Sequence, residues 1–148
     1  MNIAVHTTGR LKAPVGHSSV QGFVDGVDAV FSLAERSDGF VWRFDSDADA
    51  DAMAERRAYT GDQRMVITLS VWESFEQLHH YAYSTLHGKF YERRAEWFVP
   101  PENATMVLWH VPEGVHPTLS EAKKRLAYLN AKGPTTEAFG MKDAGAFV

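Results

Sequence analysis

A chain of 148 residues is long enough to bury one core and short for two, so a single domain spanning residues 1–148 is expected. Its 45% hydrophobic and 23% charged residues place it among globular chains, and a formal net charge of −4 argues against general affinity for nucleic acid. The absence of cysteine excludes disulfides, thiolate metal sites and a cysteine nucleophile.

In chain order, "MNIAVHTT" alternates Ile3 and Val5 with small or polar neighbours and reads as a first strand. "RLKAPVGHSS" is a connector broken by Pro14 and Gly16, with Ser18 or Ser19 as helix caps. Val20, Phe23, Val24, Val27, Val30, Phe31 and Ala34 then recur at steps of three and four, the apolar stripe of a helix. Gly22 and Gly26 weaken that helix by about 1 kcal/mol each, so it needs a sheet to pack against. "SDGFVWRF" turns into a second strand. "DSDADADAMAERRAYTGDQ" is acidic and poor in large apolar groups, and reads as a long exposed loop with at most a helical turn. It lacks the central glycine and closing glutamate of a calcium loop.

"RMVITLSVW" is a β-branched run suited to a buried central strand. "ESFEQLHHYAYSTLHGKFYERRAEWF" has helical spacing, with a bend expected at Gly88. "TMVLWHVP" is a further strand. "PTLSEAKKRLAYLNAKG" is a helix opened by the Thr118/Glu121 capping box and closed by Gly133. "TTEAFGMKD" reads as a last short strand. The order is β-α-β-β-α-β followed by a helix and a strand: an α+β, ferredoxin-like antiparallel sheet with helices on one face. The other face, expected to carry Trp42, Phe44, Val66 and Trp109, would be covered by pairing with a second copy, giving a homodimer.

Several residues could carry chemistry. On a continuous helix, His80, Tyr83, His87, Tyr91 and Arg94 share one face. His87 titrates near neutrality and suits a general acid or base. Tyr83 and Tyr91 can donate to a developing oxyanion, and Arg94 can hold an anionic oxygen. The bland reading makes His87 a half-buried residue bonded to a carbonyl and the tyrosines ordinary packing. Trp42, Trp97 and Trp109 suit either the walls of an aromatic pocket or a dimer interface. No two-histidine-plus-carboxylate cluster, nucleophile elbow or phosphate loop is present, so no metal is expected. A single axial imidazole from His87 or His80 would suffice for haem.

The stretch from Leu69 to Phe139 carries a further signal. Ser70 to Ser74, Tyr83, His87, Arg93, Arg94, Trp97, Phe98, Leu108, Trp109, Pro112, Pro117, Glu121, Ala122, Arg125, Leu126, Leu129, Gly133, Ala138 and Phe139 together resemble the bacterial domain-of-unknown-function 3291 family. That family is similar in turn to the dimeric α/β-barrel superfamily of antibiotic-biosynthesis monooxygenases. The resemblance implies that fold and a small-molecule ligand. For activity it implies either a cofactor-free monooxygenase, cyclase or isomerase acting on an aromatic or polyketide-like molecule, or a haem or hydrophobic-ligand binder without turnover. On the first of these, His87 moves a proton, Tyr83, Tyr91 and Arg94 position oxygens, and Trp42, His80, Trp97 and Trp109 line the site. Whether the chain is an enzyme at all stays open at this level.

No apolar run approaches the ~20 residues of a membrane span, and the N-terminus lacks the apolar core of a secretion signal. A cytoplasmic location, with neither membrane nor nucleic acid as partner, is the expectation.

Overall fold

The computed structural model describes residues 1–148. Strands β1 (Asn2–Arg10), β2 (Phe40–Arg43), β3 (Met65–Trp72) and β4 (Met106–Val111) form one antiparallel sheet in the order β2-β3-β1-β4. Helices α1 (Gln21–Glu35), α2 (Ala50–Tyr59), α3 (Phe75–Ser84), α4 (Leu86–Glu92), α5 (Arg94–Trp97) and α6 (Leu119–Lys132) surround it. The fold is ferredoxin-like, as the element order requires.

Pairing fixes the two faces. Ile3 lies opposite Trp72 and His110, and Val5 opposite Ser70 and Leu108, so these residues share one face. Onto it pack Val30 and Ala34 of α1, Leu78 and Tyr81 of α3, and Phe139 and Ala144 of the C-terminal segment. Ala4 lies opposite Val71 and Trp109, and His6 opposite Leu69 and Val107, on the other face. Alternation in the strands thus converts directly into two layers.

The second face is not bare. Leu119, Ala122 and Leu129 of α6 are buried against Ala4, Leu69, Val71, Val107 and Trp109. Each fully buried leucine contributes about 1.5–3 kcal/mol, so α6 anchors itself. The chain therefore covers with its own helix most of the surface that the sequence left for a second copy. Trp42 and Phe44 stay half-buried at the margin of this layer, whereas Val66 points to the opposite side, against Val20 and Trp97.

Three other segments depart from expectation. The acidic stretch read as a loop contains α2, a helix of 10 residues started by Asp49, whose carboxylate accepts from the Ala52 N–H. Its apolar content is too low for a helical stripe, which is why periodicity missed it. The long aromatic helix is broken at Thr85, not Gly88: Thr85 is extended, with φ −113° and ψ −170°, and caps α4 through its hydroxyl. The expected last strand is reduced to isolated bridges, Leu108 with Phe139 and Thr135 with Ala138, before a 3-10 segment over Met141–Ala146.

Candidate functional site

The break at Thr85 redistributes the aromatic stretch. The Thr85 hydroxyl donates to the Tyr81 carbonyl at 2.6 Å and accepts from the His87 N–H at 3.3 Å, closing a tight elbow between α3 and α4. Gly88 is buried in that elbow. A Cβ there would collide with the Tyr83 carbonyl oxygen, so only glycine lets α4 fold back this closely.

The elbow turns His87 inward. Its ring lies 4.8 Å from that of Tyr81, which stacks on Trp72 at 4.9 Å and donates its hydroxyl to the Val30 carbonyl. His87 Nδ1 lies 2.8 Å from the Ala82 carbonyl oxygen, an acceptor only, so Nδ1 carries the proton. In the neutral ring the Nε2 lone pair is then free. Burial lowers the pKa of His87 below its ordinary value, with the Ala82 bond opposing the shift. Burial raises that of Tyr81 well above the phenol range, so Tyr81 stays protonated.

Tyr83, Tyr91 and Arg94 stay together, without His87. Phe75, His79 and Tyr83 fall four residues apart along α3, with ring centroids 5.7 and 4.9 Å apart in turn. Tyr91 meets Tyr83 edge-on at 5.5 Å, and the Arg94 guanidinium lies 3.9 Å above the Tyr91 ring. The result is an aromatic ladder along the surface that ends in a cation. Partial burial and the neighbouring Tyr91 raise the pKa of Tyr83, while Arg94 opposes them.

The remaining candidates scatter. His80 is exposed. Trp97 is 2% exposed and sits in a separate cluster with Leu11 and Val20, its indole covered by the Arg93 guanidinium at 4.6 Å. Trp109 is fully buried on the α6 side, and its Nε1 has no hydrogen-bond partner. Trp42 stacks on His116 at 4.6 Å, also on that side. The four pocket-wall candidates therefore do not line one pocket with His87. Two clefts, of about 260 and 490 Å³, open near Thr8–Arg10 with Val99–Thr105 and near Arg56, Arg57 and Asp62, and neither borders His80 or His87. No three His, Cys, Asp or Glu side chains converge as a metal site would require. No helix is long and apolar enough to cross a membrane.

Sequence reasoning missed two partnerships. Tyr81 meets His87 and is itself backed by Trp72 because α3 faces the sheet, which helical spacing alone does not assign to particular rings. His6 is fully buried, with Nδ1 2.7 Å from the Thr68 carbonyl and Nε2 2.8 Å from the Tyr59 hydroxyl. Strand alternation places His6 beside Ala4, and a histidine at an inward position calls for partners. Tyr59 gave no signal, because its helix read as loop.

Comparison with known proteins supplies the relatives. The family described as "Domain of unknown function (DUF3291)" matches residues 2–146. No curated protein matches the sequence. Among solved structures, one described as a "putative antibiotic biosynthesis monooxygenase" from Nitrosomonas europaea superposes with a TM-score of 0.52 at 11% identity, covering 78% of this chain and 94% of that one. Rv0793 from Mycobacterium tuberculosis gives 0.51 at 14% identity, over 78% of this chain and 100% of that one. PA3566 from Pseudomonas aeruginosa gives 0.50 at 12%, over 75% and 94%. At these identities the likeness is one of fold.

Proposed function

The chain belongs to the DUF3291 family, and from that premise and the elbow geometry we propose that it is a small enzyme using His87 as a proton-transferring base on an aromatic or polyketide-like molecule. The reaction class is cofactor-free oxygenation, cyclisation or isomerisation. The observation that carries this reading is the fixed tautomer: Nδ1–H is held by the Ala82 carbonyl and Nε2 is left with a free lone pair in a partly desolvated setting. A phenol or carbon acid would give its proton to Nε2, and the resulting oxyanion would need donors. Tyr83, Tyr91 and Arg94 stand apart from His87 on the exposed ladder, and their assigned task is to hold a polar or anionic edge of the substrate away from the reacting atom. The fold shared with the Nitrosomonas europaea protein supports the choice of chemistry.

The test is turnover by the purified chain on a panel of hydroxylated aromatics and polyketide-like β-dicarbonyls, followed by oxygen uptake and product chromatography. His87→Ala is expected to abolish product formation while leaving the fold intact. Full turnover by that variant rejects the role of His87. Binding of a panel member with neither oxygen uptake nor product would favour the reading as a hydrophobic-ligand binder.

A homodimer is part of the same proposal. Its support is narrower than the sequence suggested, resting on the half-buried Trp42, Phe44 and Ile67 around the margin of α6 rather than on an open sheet face.

A further inference from the structure

We propose that α2 is an acid-released cover over the His6-bearing face of the sheet, latched by the hydrogen bond between Tyr59 and His6. The proposal rests on a contrast between the two helices on that face. α6 buries Leu119, Ala122 and Leu129, whereas α2 contains no buried residue and its Met53 is 41% exposed. What holds α2 down is mostly polar. The Tyr59 hydroxyl donates to His6 Nε2, the Glu55 carboxylate accepts from the Leu119 N–H at 2.7 Å, and the Lys123 ammonium donates to the Tyr59 carbonyl at 2.8 Å. The Arg56 guanidinium donates to the Thr60 and Met65 carbonyls. A helix held this way opens at lower cost than one held by buried leucines.

The Tyr59–His6 bond depends on the protonation state of His6. Thr68 offers only a carbonyl, so Nδ1 of His6 must donate to it and Nε2 must accept from Tyr59. Protonation puts a second N–H on Nε2. The phenol must then turn its lone pair to the ring, and its own proton loses its acceptor.

No carboxylate is bonded to His6 to receive the new charge. From β3 and β4 the groups beside His6 are Leu69 and Val107, and along β1 they are Ala4 and Thr8. From α6 comes the Lys123 ammonium, 5.1 Å from the Tyr59 ring, and from α2 comes Arg56, whose charge acts on Tyr59. Lys123 and Arg56 thus bring positive charge toward Tyr59, while the carboxylate of Glu55 spends its bond at Leu119 rather than at His6. A buried imidazolium is costly here, and the element with least anchorage gives way. Burial also lowers the pKa of His6, with the Thr68 bond opposing the shift.

Hydrogen–deuterium exchange on the full chain, corrected for intrinsic rates, tests this between about pH 7.5 and about pH 5. Peptides from α2 should lose protection by up to about tenfold per pH unit, ahead of peptides from α6. His6→Gln, which keeps an acceptor for Tyr59 but does not titrate, should flatten that response. Tyr59→Phe should lower the protection of α2 selectively at neutral pH, and it decides the matter even if His6→Gln does not fold. Parallel loss of protection in α2 and α6, an unchanged pH response in His6→Gln, or undiminished α2 protection in Tyr59→Phe would overturn the proposal.

Discussion

His87 Nδ1 and the Ala82 carbonyl oxygen lie 2.8 Å apart across the helix break at Thr85. That bond sets the tautomer and lies wholly within the elbow. The imidazole should therefore titrate below 6.5, the ordinary histidine value, because burial is the larger influence on it. Two-dimensional NMR of ring-labelled protein reads both points: a midpoint under 6.5 and the Nδ1–H tautomer above it. A midpoint above 6.5 would remove His87 as a base poised neutral at working pH.

His6 and His87 both have lowered pKa values. Between the folded pKa and 6.5, the unfolded chain binds more protons at these sites than the folded one, so stability rises with pH in that window. It is full above 6.5 and falls as pH drops toward the folded values, by at most about 1.4 kcal/mol per pH unit for each histidine. Urea unfolding at a series of pH values should show this loss, with a shallower slope in His6→Gln. A pH-independent midpoint across the window would contradict it.

Gly26 was read from sequence as a weakness in α1, and its packing gives a different meaning. A Cβ there would strike the ring of Phe90, which lies over the helix and reaches Phe23 and Trp97. Gly26→Ala should gain about 1 kcal/mol in helix propensity and lose more than that in displaced rings. A net destabilisation of about 1–2 kcal/mol by thermal denaturation is expected, and a stabilised variant would show that Phe90 moves aside freely.

On the exposed ladder the expectation is the reverse. Tyr83→Phe and Arg94→Ala remove groups without buried partners, so stability should change by no more than about 0.5 kcal/mol. Affinity for an anionic aromatic ligand of the panel should fall about tenfold in Arg94→Ala, as loss of one charge-assisted bond predicts. Titration calorimetry and denaturation on the same samples separate the two effects. Unchanged affinity would remove Arg94 from the proposed site.

Light scattering coupled to gel filtration should give twice the chain mass of 16.6 kDa. Trp42→Ser should shift the distribution toward the single chain, because Trp42 is half-buried at the margin of the covered face. A monodisperse single chain at micromolar concentration would rule out the dimer.

The strands and the best-capped helix were readable because their signals are local. Ile3 and Val5 alternate, Met65–Trp72 is nearly all β-branched or apolar, and Thr118 announces α6 three residues before the Glu121 N–H that it caps. Placement of the chemistry depended on one residue in the middle of an uninterrupted pattern. Thr85 leaves helical geometry while nothing in "YSTLHGK" requires it, and that step separates His87 from Tyr83, Tyr91 and Arg94. Gly88 drew attention as the natural breaker, yet it is helical and serves as the gap that lets the two helices touch. The coverage of the second sheet face was also illegible, since spacing identifies the stripe on α6 but not the surface that it meets.

The bridge between Leu108 and Phe139, two backbone bonds of 2.8 and 3.0 Å, has a consequence for assembly. A sheet has two rims, and here the rim at β4 is occupied by the chain's own tail. The rim at β2 is only four residues long and irregular between Phe40 and Trp42. Strand-by-strand growth into fibrils is thus obstructed on one side by a plug and on the other by brevity. Removal of the tail from Thr135 onward would unplug the longer rim and strip Phe139 from the core at once. Shortened forms of this chain should accordingly be lost to aggregation before they are lost to simple unfolding.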